Sequence, residues 1–412
     1  MNKLEKKALT LLKNNTRQRI KNRKKYIFTI PSEKHYPFQW FWDSCFHAIV
    51  WTHFDNERAK KEIRALLAWQ REDGFMPHVI FWNRKMVMTK LWHWLESKPV
   101  FKKPETTETI QPPIIAQAVE RIYLKDKDKS FLKEVLPSLV NYYNWLSEKR
   151  DIDKDGLISI IISSESGKDF SSCYDSVLGL KNPGMFRLFF RLRLTAFRNK
   201  IKGHNSLKLF KEDRFFVKDV SVNAYFIQGL WSINNLAKIL KEYDVAIWAE
   251  KLAKKATKTL VEKTYDEKRG LFCNLNGKKE KKEKTTTIIS LMPIIVPGLD
   301  KKIVDRLVSH LASEDFLLNY SIPSIGKNEL EFRSDSRVNL AYFDWRGSSW
   351  VNTNWFIING LKQYGFNKLA NNFKKQTIQM VENNGFYEYY DCFTGKGLGS
   401  KNFAWSTLVI DM

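Results

Sequence analysis

The chain has 412 residues, 69 Lys and Arg against 45 Asp and Glu for a formal charge of +24, and 14 Trp, 28 Phe and 15 Tyr. Its length supports a large core, no apolar run approaches the roughly 18 residues of a membrane span, and the basic N-terminus lacks the apolar stretch of a signal peptide. Cys45, Cys173, Cys273 and Cys392 are far apart with no C-x-x-C pair, which argues against a disulfide framework or structural zinc and fits a reduced, cytoplasmic protein.

Lys is spread over the whole chain, as in Lys251 to Lys258, and no zinc-finger or RNP-like spacing accompanies it. A solvated basic surface is therefore expected rather than a nucleic-acid partner, with a local basic pocket for an acidic substrate still open.

Helical spacing of apolar residues predicts helices over Ala48 to Trp51, Ile63 to Trp69, Ile114 to Tyr123, Leu136 to Leu146, Val220 to Leu240, Ala246 to Leu260 and Trp350 to Leu361. Long alternating strand patterns are scarce, so the fold class is all-α. Four times a helical stretch runs into a polar turn, a Gly and an apolar residue: Glu72-Asp73-Gly74-Phe75, Asp153 to Leu157 around Gly156, Asp266 to Leu271 around Gly270, and Asn383-Asn384-Gly385-Phe386. Gly in that place suits a left-handed helix end. The repeat implies helical hairpins whose Gly-following loops share a side, closed into a ring or stacked as a solenoid.

In chain order, Phe38 to Ser44 interleaves aromatics with Gln39 and Asp43. Asp43 fits either a helix cap or an acceptor for sugar hydroxyls beside stacking rings. Pro77-His78 follows the first Gly turn, and Gln111-Pro112-Pro113 precedes a helix. Ser163 to Ser172, after the second Gly turn, is a loop of small polar residues carrying Glu165 and Asp169. It fits a plain surface turn or a loop able to approach a ligand closely. In Met185 to Lys202, Arg187, Arg191 and Arg198 share one helical face among Phe186, Phe189, Phe190 and Phe197. That segment suits a membrane surface, nucleic acid or, favoured here, a lid over a cleft, with residues 180–214 as the insertion. The charge run Lys278 to Lys284 after Asn276-Gly277 predicts an exposed loop tip.

The last clusters are Phe343-Asp344-Trp345-Arg346-Gly347 with Trp350 and Trp355, and Gly385 to Asp391 around Glu388. Their carboxylates either face water at the edge of an aromatic core or are partly desolvated, which raises a carboxyl pKa and suits acid/base work. Two such groups across a cleft are what glycoside hydrolysis requires.

Taken together, the ordered set Trp42-Asp43-Ser44, Glu72-Asp73-Gly74-Phe75 with Pro77-His78, Gln111-Pro112-Pro113, Glu165-Ser166-Gly167 with Asp169, Trp345-Arg346-Gly347, and Phe386 to Tyr390 with Thr394-Gly395 resembles glycoside hydrolase family 63. Within that family the compact length is similar to the mannosylglycerate and glucosylglycerate hydrolases, relatives of trehalase. The resemblance spans about Tyr36 to Trp405. It implies a single (α/α)6 toroid with inserted loops over residues 1–412, and inverting hydrolysis of a small α-glucoside or α-mannoside, 2-O-glycosylglycerate among them, without cofactor or metal. It also implies Asp169 as general acid and Glu388 as general base. Tyr36, Trp40, Trp42, Asp43, His78, Gln111, Trp345 and Arg346 fall on the family's substrate-binding positions. The chain departs from the pattern at Phe170-Ser171-Ser172-Cys173, at Asp344 where relatives often carry Tyr, and in Lys85 to Leu91, where a glycerate-facing Tyr is missing. Such changes leave room for a sugar-binding toroid with impaired catalysis as the alternative.

Overall fold

The computed structural model describes residues 1–82, 94–97, 105–333 and 344–412. Several helices begin where a short polar side chain accepts from their first free N–H groups. Asn2 caps α1 (Lys3–Asn14), Asp55 caps α3 (Asn56–Leu67), Asp128 caps α5 (Lys129–Lys149) and Asp219 caps α8 (Val220–Leu240). The others are α2 (Phe41–Trp51), α4 (Ile115–Asp126), α6 (Met185–Ile201), α7 (Ser206–Lys211), α9 (Tyr243–Thr259), α10 (Ile288–Leu291), α11 (Lys301–Leu311), α12 (Val351–Gln363) and α13 (Asn367–Asn384). The mainly helical class expected from the sequence is met. Among the described residues, no helix is long and apolar enough to cross a membrane.

Two kinds of helix alternate. The first kind is buried all round: every residue of α2 is buried, and α8 and α12 are nearly so. The second kind is amphipathic, as in α11, where only Ile303, Val304, Leu307 and Leu311 are buried. Contacts order them. The inner elements α2, α4, α8, the turn Met292–Ile295 after α10, α12 and the C-terminal 3-10 turn Ala404–Asp411 touch in succession, and the last touches α2 again. Each has an outer neighbour: α3 on α2, α5 on α4, α9 on α8, α11 on α10, α13 on α12, and α1 on the C-terminal turn. One continuous apolar cluster fills the space between inner and outer elements.

All four repeat glycines take positive φ: Gly74 at +94°, Gly156 at +102°, Gly270 at +67° and Gly385 at +88°. Of these, Gly74 also has no room for a side chain, since a Cβ there would lie 2.4 Å from the Asn141 carbonyl oxygen. Strands are short. Among the described residues the longest pair is the basic hairpin Thr16–Lys21 with Lys24–Thr29, and the Lys278 to Lys284 run closes another around Gly277, with Glu280 held by Lys218 and Lys263. The four cysteines are all free and buried.

Candidate active site

The segments after the Gly turns converge. Gln39–Trp40 pairs antiparallel with Val79–Ile80, which sets the Trp40 ring edge-on to the His78 ring at 5.1 Å. Tyr36 stands edge-on to Trp40 at 5.5 Å. Helix α2 starts at once after Trp40, and no side chain of its own caps it. Instead the His78 carbonyl accepts from Phe41 N–H at 2.9 Å, and Gln111 Oε1 accepts from Trp42 N–H at 2.9 Å. That leaves Asp43 free of capping duty in the first turn. It is buried, and its Oδ1 meets no hydrogen-bond partner among the described residues. Burial, and then the charge of Glu388, push its pKa well above the ordinary carboxylate range.

Asp169 sits on a segment anchored from below. The guanidinium of Arg150 grips Glu165 through two bonds of 2.6 and 2.5 Å, with both side chains buried. Glu165 also accepts from the N–H groups of Ile110 and Ile161 at 3.0 and 2.8 Å. The 3-10 turn Ser163–Ser166 then ends on Gly167 at φ +68°. A Cβ on Gly167 would lie 2.5 Å from Trp42 Cη2 and Cζ2, so the turn approaches the indole as only glycine allows. Next, Lys168 is buried; its ammonium donates to the Ser166 carbonyl and to Ser221 Oγ, both at 3.1 Å. Burial lowers its pKa to about 8. Asp169 itself is half-buried, and burial together with the nearby Glu388 charge raises its pKa to about 6.

Glu388 lies in the strand Tyr387–Tyr390, which pairs with Gly397–Lys401. Two donors hold its carboxylate: the Tyr36 hydroxyl at 2.6 Å on Oε1 and Ser400 N–H at 2.9 Å on Oε2. Burial still leaves its pKa raised, while both donors pull it down. The two carboxyls are thus unequal. Their surroundings differ: the Glu388 charge adds to the rise at Asp169, whereas the Tyr36 hydroxyl and Ser400 N–H favour the charged form of Glu388.

Aromatic rings pack together beside the Glu388 strand. Trp345 stacks on Trp350 at 3.8 Å, Trp350 stacks on Tyr389 at 4.7 Å, and Trp405 meets both Trp350 and Trp42 edge-on. Asp344 precedes Trp345, and its carbonyl accepts from Trp350 Nε1 at 3.1 Å. Its Oδ1 has no partner among the described residues, and burial with the charges of Glu388 and Asp169 drives its pKa well above the carboxylate range. The Arg346 guanidinium donates to Asp175 at 2.8 and 2.7 Å and to the Phe170 carbonyl at 2.9 Å. It braces the segment just after Asp169.

Sequence reasoning missed Glu96, a lone acid with no motif around it. It is buried, accepts from Ser164 Oγ at 2.5 Å and lies 4.0 Å from His78 Nδ1. Burial foremost, then the Asp169 and Glu165 charges, raise its pKa to about 8. Ser400, Trp350 and Trp405 were also not singled out as supports of Glu388 and its neighbours. The Tyr position expected after His78, at Lys85 to Leu91, lies outside the described residues.

Residues 36–406 match the family described as the mannosylglycerate hydrolase MGH1-like glycoside hydrolase domain. A mannosylglycerate hydrolase of Thermus thermophilus is 27% identical, the alignment covering 97% of this chain and 98% of that one. A glucosylglycerate hydrolase of Mycolicibacterium hassiacum is 25% identical with 91% of each covered. The crystal structure of the family 63 mannosylglycerate hydrolase from Thermus thermophilus in complex with Tris and D-glycerate superposes with a TM-score of 0.87 at 26% identity, covering 99% of this chain and 100% of that one.

Proposed function

The chain belongs to the mannosylglycerate hydrolase MGH1-like glycoside hydrolases of family 63, and from that premise we propose that it is an (α/α)6 toroid that hydrolyses a small α-glucoside or α-mannoside with inversion, glycosylglycerates being the first substrates to try. Asp169 is the general acid and Glu388 the general base. The observation that carries this assignment is the difference in how the two are held: the Tyr36 hydroxyl and Ser400 N–H both donate to the Glu388 carboxylate, while Asp169, its pKa raised to about 6, sits on the loop that Arg150 pins through Glu165.

In the reaction, Asp169 gives its proton to the glycosidic oxygen as the bond from that oxygen to the anomeric carbon breaks. Glu388 takes a proton from a water whose oxygen attacks the same carbon on the opposite face. The sugar leaves with inverted configuration, the aglycone leaves as the alcohol, and proton exchange with solvent resets the pair. Trp40, Trp42, Asp43, His78 and Trp345 bind the sugar. Gln111 acts through α2, whose first turn it holds, and Arg346 acts through the segment it braces. Asp344, whose pKa burial and the Glu388 and Asp169 charges raise, stands where relatives often offer tyrosine, and its protonated form is an O–H donor.

Hydrolysis of glucosylglycerate, mannosylglycerate, trehalose and kojibiose, followed by proton NMR, tests the proposal. The β-anomer appears first if inversion holds. Asp169→Asn and Glu388→Gln should each lower turnover by about 10²–10⁴-fold with unchanged circular dichroism. Full activity in either variant, or α-anomer as first product, overturns the assignment.

A further inference from the structure

Helix α6 has three faces of different chemistry. Leu188, Leu192, Ala196 and Asn199 are buried. Ala196 packs with Leu95 and Ile162, Asn199 Nδ2 donates to the Ile161 carbonyl at 2.7 Å, and Lys200 Nζ donates to the Trp94 and Ser97 carbonyls. The helix is therefore fastened to the segment that leads into the Asp169 loop. On the outward side, Phe186, Phe190, Phe197 and Ile201 are exposed by 83, 66, 46 and 65%. Steps of four, seven and four residues place them on one stripe along the helix.

Cations flank that stripe. Arg187, Arg191 and Arg198 run along one border and Arg193 along the other, its guanidinium lying over the Phe189 ring at 3.9 Å. The 17 residues of α6 include no acid. Next to it, Arg191, Arg198 and Arg214 line a cavity of about 270 Å³ together with one acid, Asp213, whose Oδ1 accepts from Lys278 N–H. Burial, and then the charges of Arg214 and Arg191, lower the Arg198 pKa, which an anion placed there would relieve. The neighbouring Glu212 is taken up by Lys202 and Arg214.

We propose that the outer face of α6 docks on an anionic phospholipid surface, with Phe186, Phe190, Phe197 and Ile201 entering the acyl boundary and the flanking arginines meeting lipid phosphates. An apolar stripe between cationic borders, on a helix lying flat against the protein, is the form of an in-plane membrane helix. The overall charge of +24 adds attraction to an anionic surface. A second copy of the same face would bring like charges together. Nucleic acid would satisfy the arginines and leave four apolar side chains without use.

Sedimentation with vesicles of phosphatidylcholine alone and of phosphatidylcholine with phosphatidylserine, at low and high salt, tests this on the full chain. Binding is expected only with phosphatidylserine. The double variant Phe186→Ser/Phe190→Ser should weaken it by about tenfold or more, since each ring contributes buried apolar area. Hydrolytic activity and circular dichroism should stay unchanged, both side chains being exposed. Absence of binding to the anionic vesicles at low salt overturns the proposal. So does binding that the double variant leaves intact, which would reflect general charge alone, or a single-stranded oligonucleotide bound more tightly than the vesicles.

Discussion

Replacing Tyr36 with Phe removes one oxygen and little else. The ring keeps its edge-on contacts with Trp40 at 5.5 Å and Phe403 at 5.2 Å, so the surroundings stay packed. What goes is the 2.6 Å bond to Glu388 Oε1. Burial, and then the charge of Glu388, push the Tyr36 pKa well above its ordinary value, so the hydroxyl is a neutral donor throughout the working range. A hydrogen bond to a charged group contributes about 1.5–3 kcal/mol, and one pKa unit corresponds to about 1.36 kcal/mol. Because the bond favours the charged form, its loss raises the Glu388 pKa by about 1–2 units. On the proposed roles the base must be ionised and the acid protonated, so the Glu388 pKa sets the acid limb of the profile and the Asp169 pKa, raised to about 6, sets the alkaline limb. In Tyr36→Phe the acid limb moves up while the alkaline limb moves little, and the bell narrows from the acid side. The assay is kcat/KM against pH for wild type and variant, with melting temperatures as a control on folding. An acid limb left in place, with rate lost evenly at every pH, would refute the reasoning.

Two further expectations concern the supports of the site. Gly167→Ala forces a side chain at φ +68° against Trp42, and the expected result is a loss of about 1–2 kcal/mol in denaturant unfolding together with a raised KM as the indole is displaced. An unchanged KM would separate Trp42 from substrate binding. Arg150→Met leaves Glu165 buried without its cation, and unfolding by urea should register a loss of about 3–5 kcal/mol; a loss below about 1 kcal/mol would contradict the role given to this pair.

The long outer and inner helices were the most legible part of the sequence. The spacing over Val220 to Leu240 gives α8 with the same bounds, because Asp219 caps it and apolar residues fill its buried sides. Helix α2 was read only from Ala48 onward. Its first turn buries two polar residues, Asp43 and Ser44, the latter donating to Glu62 of α3, and these break the apolar pattern there. Helix α13 escaped for the opposite reason: Ala370, Phe373, Thr377, Met380 and Val381 keep a helical spacing but are outnumbered by Asn, Lys and Gln. At the site, Asp169 and Glu388 stood out through their small-residue and aromatic surroundings, and the family resemblance supplied their roles. The partner that a guanidinium chooses is not written in local sequence, so the engagement of Arg346 by Asp175, 171 residues earlier in the chain, became visible only in three dimensions. The same holds for Glu96, which approaches His78 and Ser164 from a segment with no recognisable pattern.

Asp169 hangs between two buried pegs, Glu165 on Arg150 and Asp175 on Arg346. The stretch between them works like a string of set length. Adding or removing one residue there would shift Asp169 along the string and take it off its mark, whereas exchanging the beads at 170–173 need not. Such a stretch tolerates substitution far better than insertion, and the altered Phe170-Ser171-Ser172-Cys173 falls where the string can change colour without changing length.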